Sequence, residues 1–89
     1  MKQFESVVTD IRLQSRVGLA AVWEMSLDKT EFGAGDTGTL EAVTRSGTRL
    51  EIPVSGVLQD DDGVVWHVVE KPLAAGTDVV GTVRERVAV

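Results

Sequence analysis

The chain has no cysteine, a single histidine and only four aromatic residues, two Trp and two Phe. Without cysteine there is no disulfide framework, no thiolate nucleophile and no cysteine-held zinc or iron–sulfur centre. With His67 as the only imidazole, a metal site would have to be built from carboxylates. Positive charge is scarce as well. Nine Lys and Arg stand against 14 Asp and Glu, giving a formal charge of −5, the wrong sign for a nucleic-acid binder. The basic residues are scattered, and a patch needs Arg45 and Arg49 to lie near Arg84 and Arg86 in space. No apolar run approaches the roughly 18 residues that span a bilayer, and Met1–Glu5 lacks the apolar stretch of a signal peptide. A cytoplasmic protein is expected.

What is present suits one globular domain, residues 1–89. Two separate cores in 89 residues would each be near the size at which burial barely offsets chain entropy. The 43% apolar and 26% charged fractions are ordinary for a folded protein and too apolar for disorder. Valine dominates the apolar set, threonine is frequent, and nine glycines punctuate the chain. This composition predicts short strands separated by turns.

Ser6–Gln14 alternates as a strand does, with Val7, Thr9, Ile11 and Leu13 on one side. Phe4, Val7, Val8 and Ile11 also fit helical spacing, and the strand reading is preferred. From Leu19 to Asp28 the alternation is cleaner: Leu19, Ala21, Trp23, Met25 and Leu27 share a face expected to be buried. Lys29–Gly38 reads as a polar loop that exposes Phe32. Thr37–Arg45 and Thr48–Ser55 form a hairpin turned by Ser46-Gly47, with Leu50, Ile52 and Val54 inward. Pro53 cannot donate to a ladder, which places its strand at an edge. Asp60-Asp61-Asp62-Gly63 turns the chain into Val64–Lys71, apolar on both faces and therefore central or partnered. Asp78–Val89 closes the chain, Val79, Val83 and Val87 opposing Arg84 and Arg86. The expected fold is all-β, a small six-stranded antiparallel sandwich or barrel.

Motifs for chemistry are few. The acidic turn fails the EF-hand pattern, because Leu58 and Val69 fall where ligands are required. It reads as a solvated turn. His67 has no Gly-x-Ser-x-Gly nucleophile to serve and reads as a surface residue of the sheet. Gly33-Ala34-Gly35-Asp36-Thr37-Gly38 matches G-x-G-x-x-G in letters. It follows no buried parallel strand and opens no helix, and Asp36 would face the phosphate. No cofactor and no metal are expected. Trp23 and Trp66 sit mid-strand and read as core, with a contact hot spot as the other reading. Phe32 reads as a contact with another chain.

Gly63-Val64-Val65-Trp66-His67-Val68-Val69-Glu70 resembles the acidic-turn, Gly-x-x-Trp-x-Val hairpin of phage head–tail joining and head-closure proteins. Ala75–Val83 is similar to strands of baseplate and tail proteins, and Lys29–Leu40 resembles the strand entry of Ig-like modules. The phage resemblance implies a β-adaptor that assembles in rings and carries no catalytic residues. The expectation is therefore a non-enzymatic assembly protein, a virion component such as a head–tail adaptor, decoration or tail protein. It would be made in the host cytoplasm and act through protein contacts as a homo-oligomer or on a larger particle. Sheet edges at the first and last segments would pair with neighbours. The candidate contact residues are Phe32, Trp66, His67, Arg84 and Arg86. The alternative is a monomeric Ig-like or barrel module that binds a protein or carbohydrate.

Overall fold

The N-terminal strand, β1 (Lys2–Val17), is 16 residues long, well beyond the usual strand, and the fold is organised around it. The computed structural model describes residues 2–43 and 46–84. Lys2–Val7 of β1 pair antiparallel with the last strand, from Lys2↔Val83 to Val7↔Asp78. Val8–Val17 pair instead with β2 (Ala20–Leu27). A register shift lies between Val8 and Asp10, so Thr9 and Asp10 together oppose Ser26. Thr9 Oγ1 is 2.8 Å from Ser26 Oγ. Such a bulge bends the strand, and it lies where β1 passes from one partner to the other.

The remaining strands are β3 (Thr37–Val43), β4 (Arg49–Val54), β5 (Gly56–Gln59), β6 (Val65–Val69) and β7 (Asp78–Arg84). They form one antiparallel seven-stranded sheet in the order β4-β3-β7-β1-β2-β6-β5. The all-β expectation holds, with seven strands rather than six. The addition is β5, which was read as a connection and is separated from β4 by Ser55 alone. Ser55 N–H donates to the Val68 carbonyl at 3.0 Å, tying the end of β4 to β6. The sheet is thus curled over a core while remaining open.

That core follows from alternation. Leu40 and Ala42 of β3, Ile52 and Val54 of β4, and Val79 and Val83 of β7 are buried, as are Val8, Met25, Val57 and Val69. Leu50, expected inward, remains 40% exposed. Pro53 lies on β4, which is indeed an edge strand. The other edge is β5. The expectation that the first and last segments form the edges is corrected, because β1 and β7 pair with each other in the middle of the sheet.

Two aromatic rings fill slots that strand glycines leave open. Phe4 lies over Gly81 and Phe32 over Gly38, where an added Cβ would strike the ring. The two rings meet edge to face with centroids 5.8 Å apart. Phe32 is therefore core, only 3% exposed, and its expected exposure is corrected. The loop 28–36 folds back over the open end of the curl and turns its one aromatic inward.

Candidate functional site

The residues expected to make contacts are for the most part inside. His67 is fully buried on the inner face of β6, not on the surface. Its Nδ1 lies 2.8 Å from the Met25 carbonyl and its Nε2 2.8 Å from Thr30 Oγ1. A carbonyl only accepts, so Nδ1 carries the proton and Nε2 accepts from the Thr30 hydroxyl. Thr30 Oγ1 in turn accepts from Phe32 N–H at 3.0 Å. The imidazole also meets the Phe32 ring edge to face, centroids 5.1 Å apart. This chain of bonds anchors the loop that carries Phe32.

Burial pushes the His67 pKa below its usual value, against the smaller opposing effect of the Met25 bond. The unfolded chain takes up a proton near pH 6.5 while the folded state resists it. The stability from neutral His67 is thus complete above that pH and is lost as pH falls towards the folded pKa. The wild-type melting temperature is expected to drop between about pH 7 and about pH 5. In His67→Gln the slope over that interval should flatten, as thermal melts across pH will reveal. Parallel slopes would contradict the assignment.

Trp66 is 6% exposed, on the outer face of β6. The guanidinium of Arg12 lies 3.9 Å from its ring centroid. Arg12 Nε donates to Glu24 Oε1 at 2.7 Å, and Gln14 Nε2 to Glu24 Oε2 at 3.1 Å. Trp66 Nε1–H donates to Asp60 Oδ2 at 2.9 Å. An expected contact anchor is thus covered by its own chain. Asp60 Oδ1 also accepts from the N–H groups of Asp62 and Val64, each at 2.9 Å. The Trp66 bond first, and these two with it, hold the Asp60 carboxyl below its ordinary pKa. The acidic run is the cap of a turn.

Arg84 is exposed at the end of β7, and Arg86 lies outside the described residues. Arg84 is in register with Thr37, and Arg49 with Val43, at opposite ends of β3. Six residues at 3.4 Å each separate them by roughly 20 Å. Arg49 is bound to Glu41 at 3.0 Å. Arg49 and Arg84 therefore form no common basic patch. The glycine loop uses its own donors: Gly33 N–H bonds Asp36 Oδ2 at 2.8 Å and Gly35 N–H bonds the Val57 carbonyl at 3.0 Å. Among the described residues no three His, Asp or Glu side chains are placed to hold a metal ion. No helix among the described residues is long and apolar enough to cross a membrane.

The surface that remains unexplained is the β1–β2 hairpin. β7 pairs with β1 only through Val7, and β6 pairs with β2 only from Trp23 to Met25. Asp10–Leu13 pair with Trp23–Ser26, whereas Ser15–Val17 and Ala20–Val22 pair only with each other and extend beyond the sheet as a two-stranded arm. Its turn is Gly18-Leu19, with Gly18 at φ +59°, the left-handed geometry that Gly supplies in a two-residue hairpin loop. Leu19 is completely exposed, Val17 80% and Leu13 46%. No family model, curated protein or solved structure matches this chain. The arm must therefore be read from its physics. Two-stranded ribbons are marginal in water, and this one has two open edges and an apolar tip.

On the other half of the sheet, β1, β7 and β3, with Asp28 and Lys29 of the following loop, form a shallow groove of about 490 Å³. One cross-strand row runs Glu5–Val80–Glu41–Glu51. Asp28 and Asp78 extend the acidic wall. Asp28 is also structural: its Oδ1 lies 2.5 Å from Ser6 Oγ and accepts from Val7 N–H at 3.0 Å. The Ser6 bond first, then the Val7 bond, lowers the Asp28 pKa.

Proposed function

We propose that this chain is a non-enzymatic assembly protein and that the β1–β2 arm is its contact surface. The observation that carries the reading is the arm itself: an unsupported ribbon whose apolar tip has no intramolecular partner. Exposed apolar surface of this kind marks sites where chains meet. The only imidazole is buried with both nitrogens engaged, so it has no access to a substrate. A virion component, such as a head–tail adaptor, decoration or tail protein, is the setting suggested by the resemblance of Gly63–Glu70 and Ala75–Val83. The alternative, a monomeric module that grips a ligand through Phe32, would need a ring that is not at the surface.

The test is a paired replacement at the tip, Val17→Ser with Leu19→Ser. Both side chains are solvated, so stability should change by no more than about 0.5 kcal/mol. In lysate from the producing cells the wild-type chain should fractionate in a large assembly. The variant should run as the 9.6 kDa monomer. Co-fractionation of variant and wild type would refute the arm as the contact.

A further inference from the structure

We propose that the occupant of the acidic groove is the arm tip of a second copy of this chain. The inference rests on the arm being the contact surface and names what it touches.

The groove has surplus negative charge. Glu5 and Asp78 make no ion pair among the described residues. Glu41 and Glu51 face each other directly across β3 and β4, an arrangement that costs stability in a sheet. Arg49 offsets it through its bond to Glu41, and Lys29, beside Asp28, is the one cation among the residues that line the groove, against Glu5, Asp28, Glu41 and Asp78. Val7, Val43 and Val80 line the floor between these carboxylates, and Val43 is 48% exposed.

The arm tip presents the matching set. Arg16 is exposed and makes no ion pair among the described residues, whereas Arg12 is held by Glu24. Val17 and Leu19 follow it at the tip, exposed. The tip thus offers one cation and two apolar side chains to a valine floor walled by carboxylates. In a chain of net charge −5, association needs such local complementarity to overcome general repulsion. Arm and groove are different surfaces, so the contact is heterologous: each copy gives an arm and receives one. Rings or open filaments follow, according to whether the rotation closes.

Sedimentation equilibrium of the purified chain tests this with Arg16→Glu and Glu5→Lys. Neither side chain makes a hydrogen bond or ion pair among the described residues, so circular dichroism melts of both variants should match wild type. Wild type should associate with concentration, less so in high salt. Each variant alone should associate about tenfold or more weakly. An equimolar mixture should recover association, because the Glu5→Lys chain has an intact arm and the Arg16→Glu chain an intact groove. A wild-type chain that stays monomeric would overturn the proposal. So would association indifferent to Arg16→Glu, or a mixture that fails to pair. A monomer that sediments instead with phosphatidylserine vesicles would do so too. If the pure chain is monomeric while the cellular assembly still depends on Val17 and Leu19, the second copy is refuted and the arm retained.

Discussion

Phe32→Ala is expected to cost about 3–5 kcal/mol, the usual loss when a buried phenylalanine is truncated in a core. A domain of this size has roughly 0.05–0.15 kcal/mol of stability per residue, so one substitution removes a large part of the total. The melting temperature should fall by roughly 15–30 °C. Three contacts are lost together: the edge-to-face packing on Phe4, the edge-to-face contact with His67 and the filling of the slot over Gly38. The loop loses its inward anchor at the same time, although the Thr30 bonds to His67 and to Phe32 N–H do not require the ring. Thermal unfolding followed by circular dichroism measures the effect. An unchanged melting temperature would mean that Phe32 stands in solvent after all.

Gly38→Ala is expected to be nearly as severe, about 3 kcal/mol or more, at the upper end of overpacking. Its new Cβ would overlap the Thr82 carbonyl oxygen as well as the Phe32 ring. A backbone oxygen in the β3–β7 ladder cannot yield without moving the strands. Gly81→Ala differs, because its Cβ strikes only the ring of Phe4, which is half-buried and can swing aside. Phe4→Ala should therefore relieve much of the Gly81→Ala cost, so that the double variant loses clearly less than the sum of the two. Phe32→Ala should not relieve Gly38→Ala to the same degree. Urea denaturation of the single and double variants reads both couplings. Equal rescue in the two pairs would contradict the backbone clash.

These two sites mark where the sequence was legible and where it was not. Strands β2 and β4 could be read because apolar residues alternate along them, as in Ile52 and Val54, and β6 because its run of valines follows an Asp-Gly turn. β1 was ambiguous for a physical reason. The bulge at Thr9 and Asp10 lets Val8 and Ile11, three residues apart, both pack inward, which imitates helical spacing. β5 offers only four residues, too few for a pattern. Phe32 was misread because its neighbours are polar and glycine-rich. The available signal was elsewhere, in Gly38 and Gly81, since glycines within strands leave slots that aromatic rings fill.

The positions of the edges were hidden for another reason. Lys2 pairs with Val83, near the other end of the chain, and no local pattern encodes such a distant partner. The arm was hidden in the same way. Leu19 falls on the correct alternate of β2 to be buried, yet β6 supports only Trp23–Met25. How far one strand accompanies another is a property of the assembled sheet. Trp66 and His67, expected as contact residues, spend their chemistry within the fold.

Amide hydrogen exchange across the arm bears most directly on the central claim that the β1–β2 hairpin is the working surface. In dilute monomer, the amides of 15–17 and 20–22 should exchange quickly, because both edges of the ribbon are open to water there. In the assembled state these amides should become protected, while those of β6 change little. Identical exchange of the arm in the two states would contradict the account.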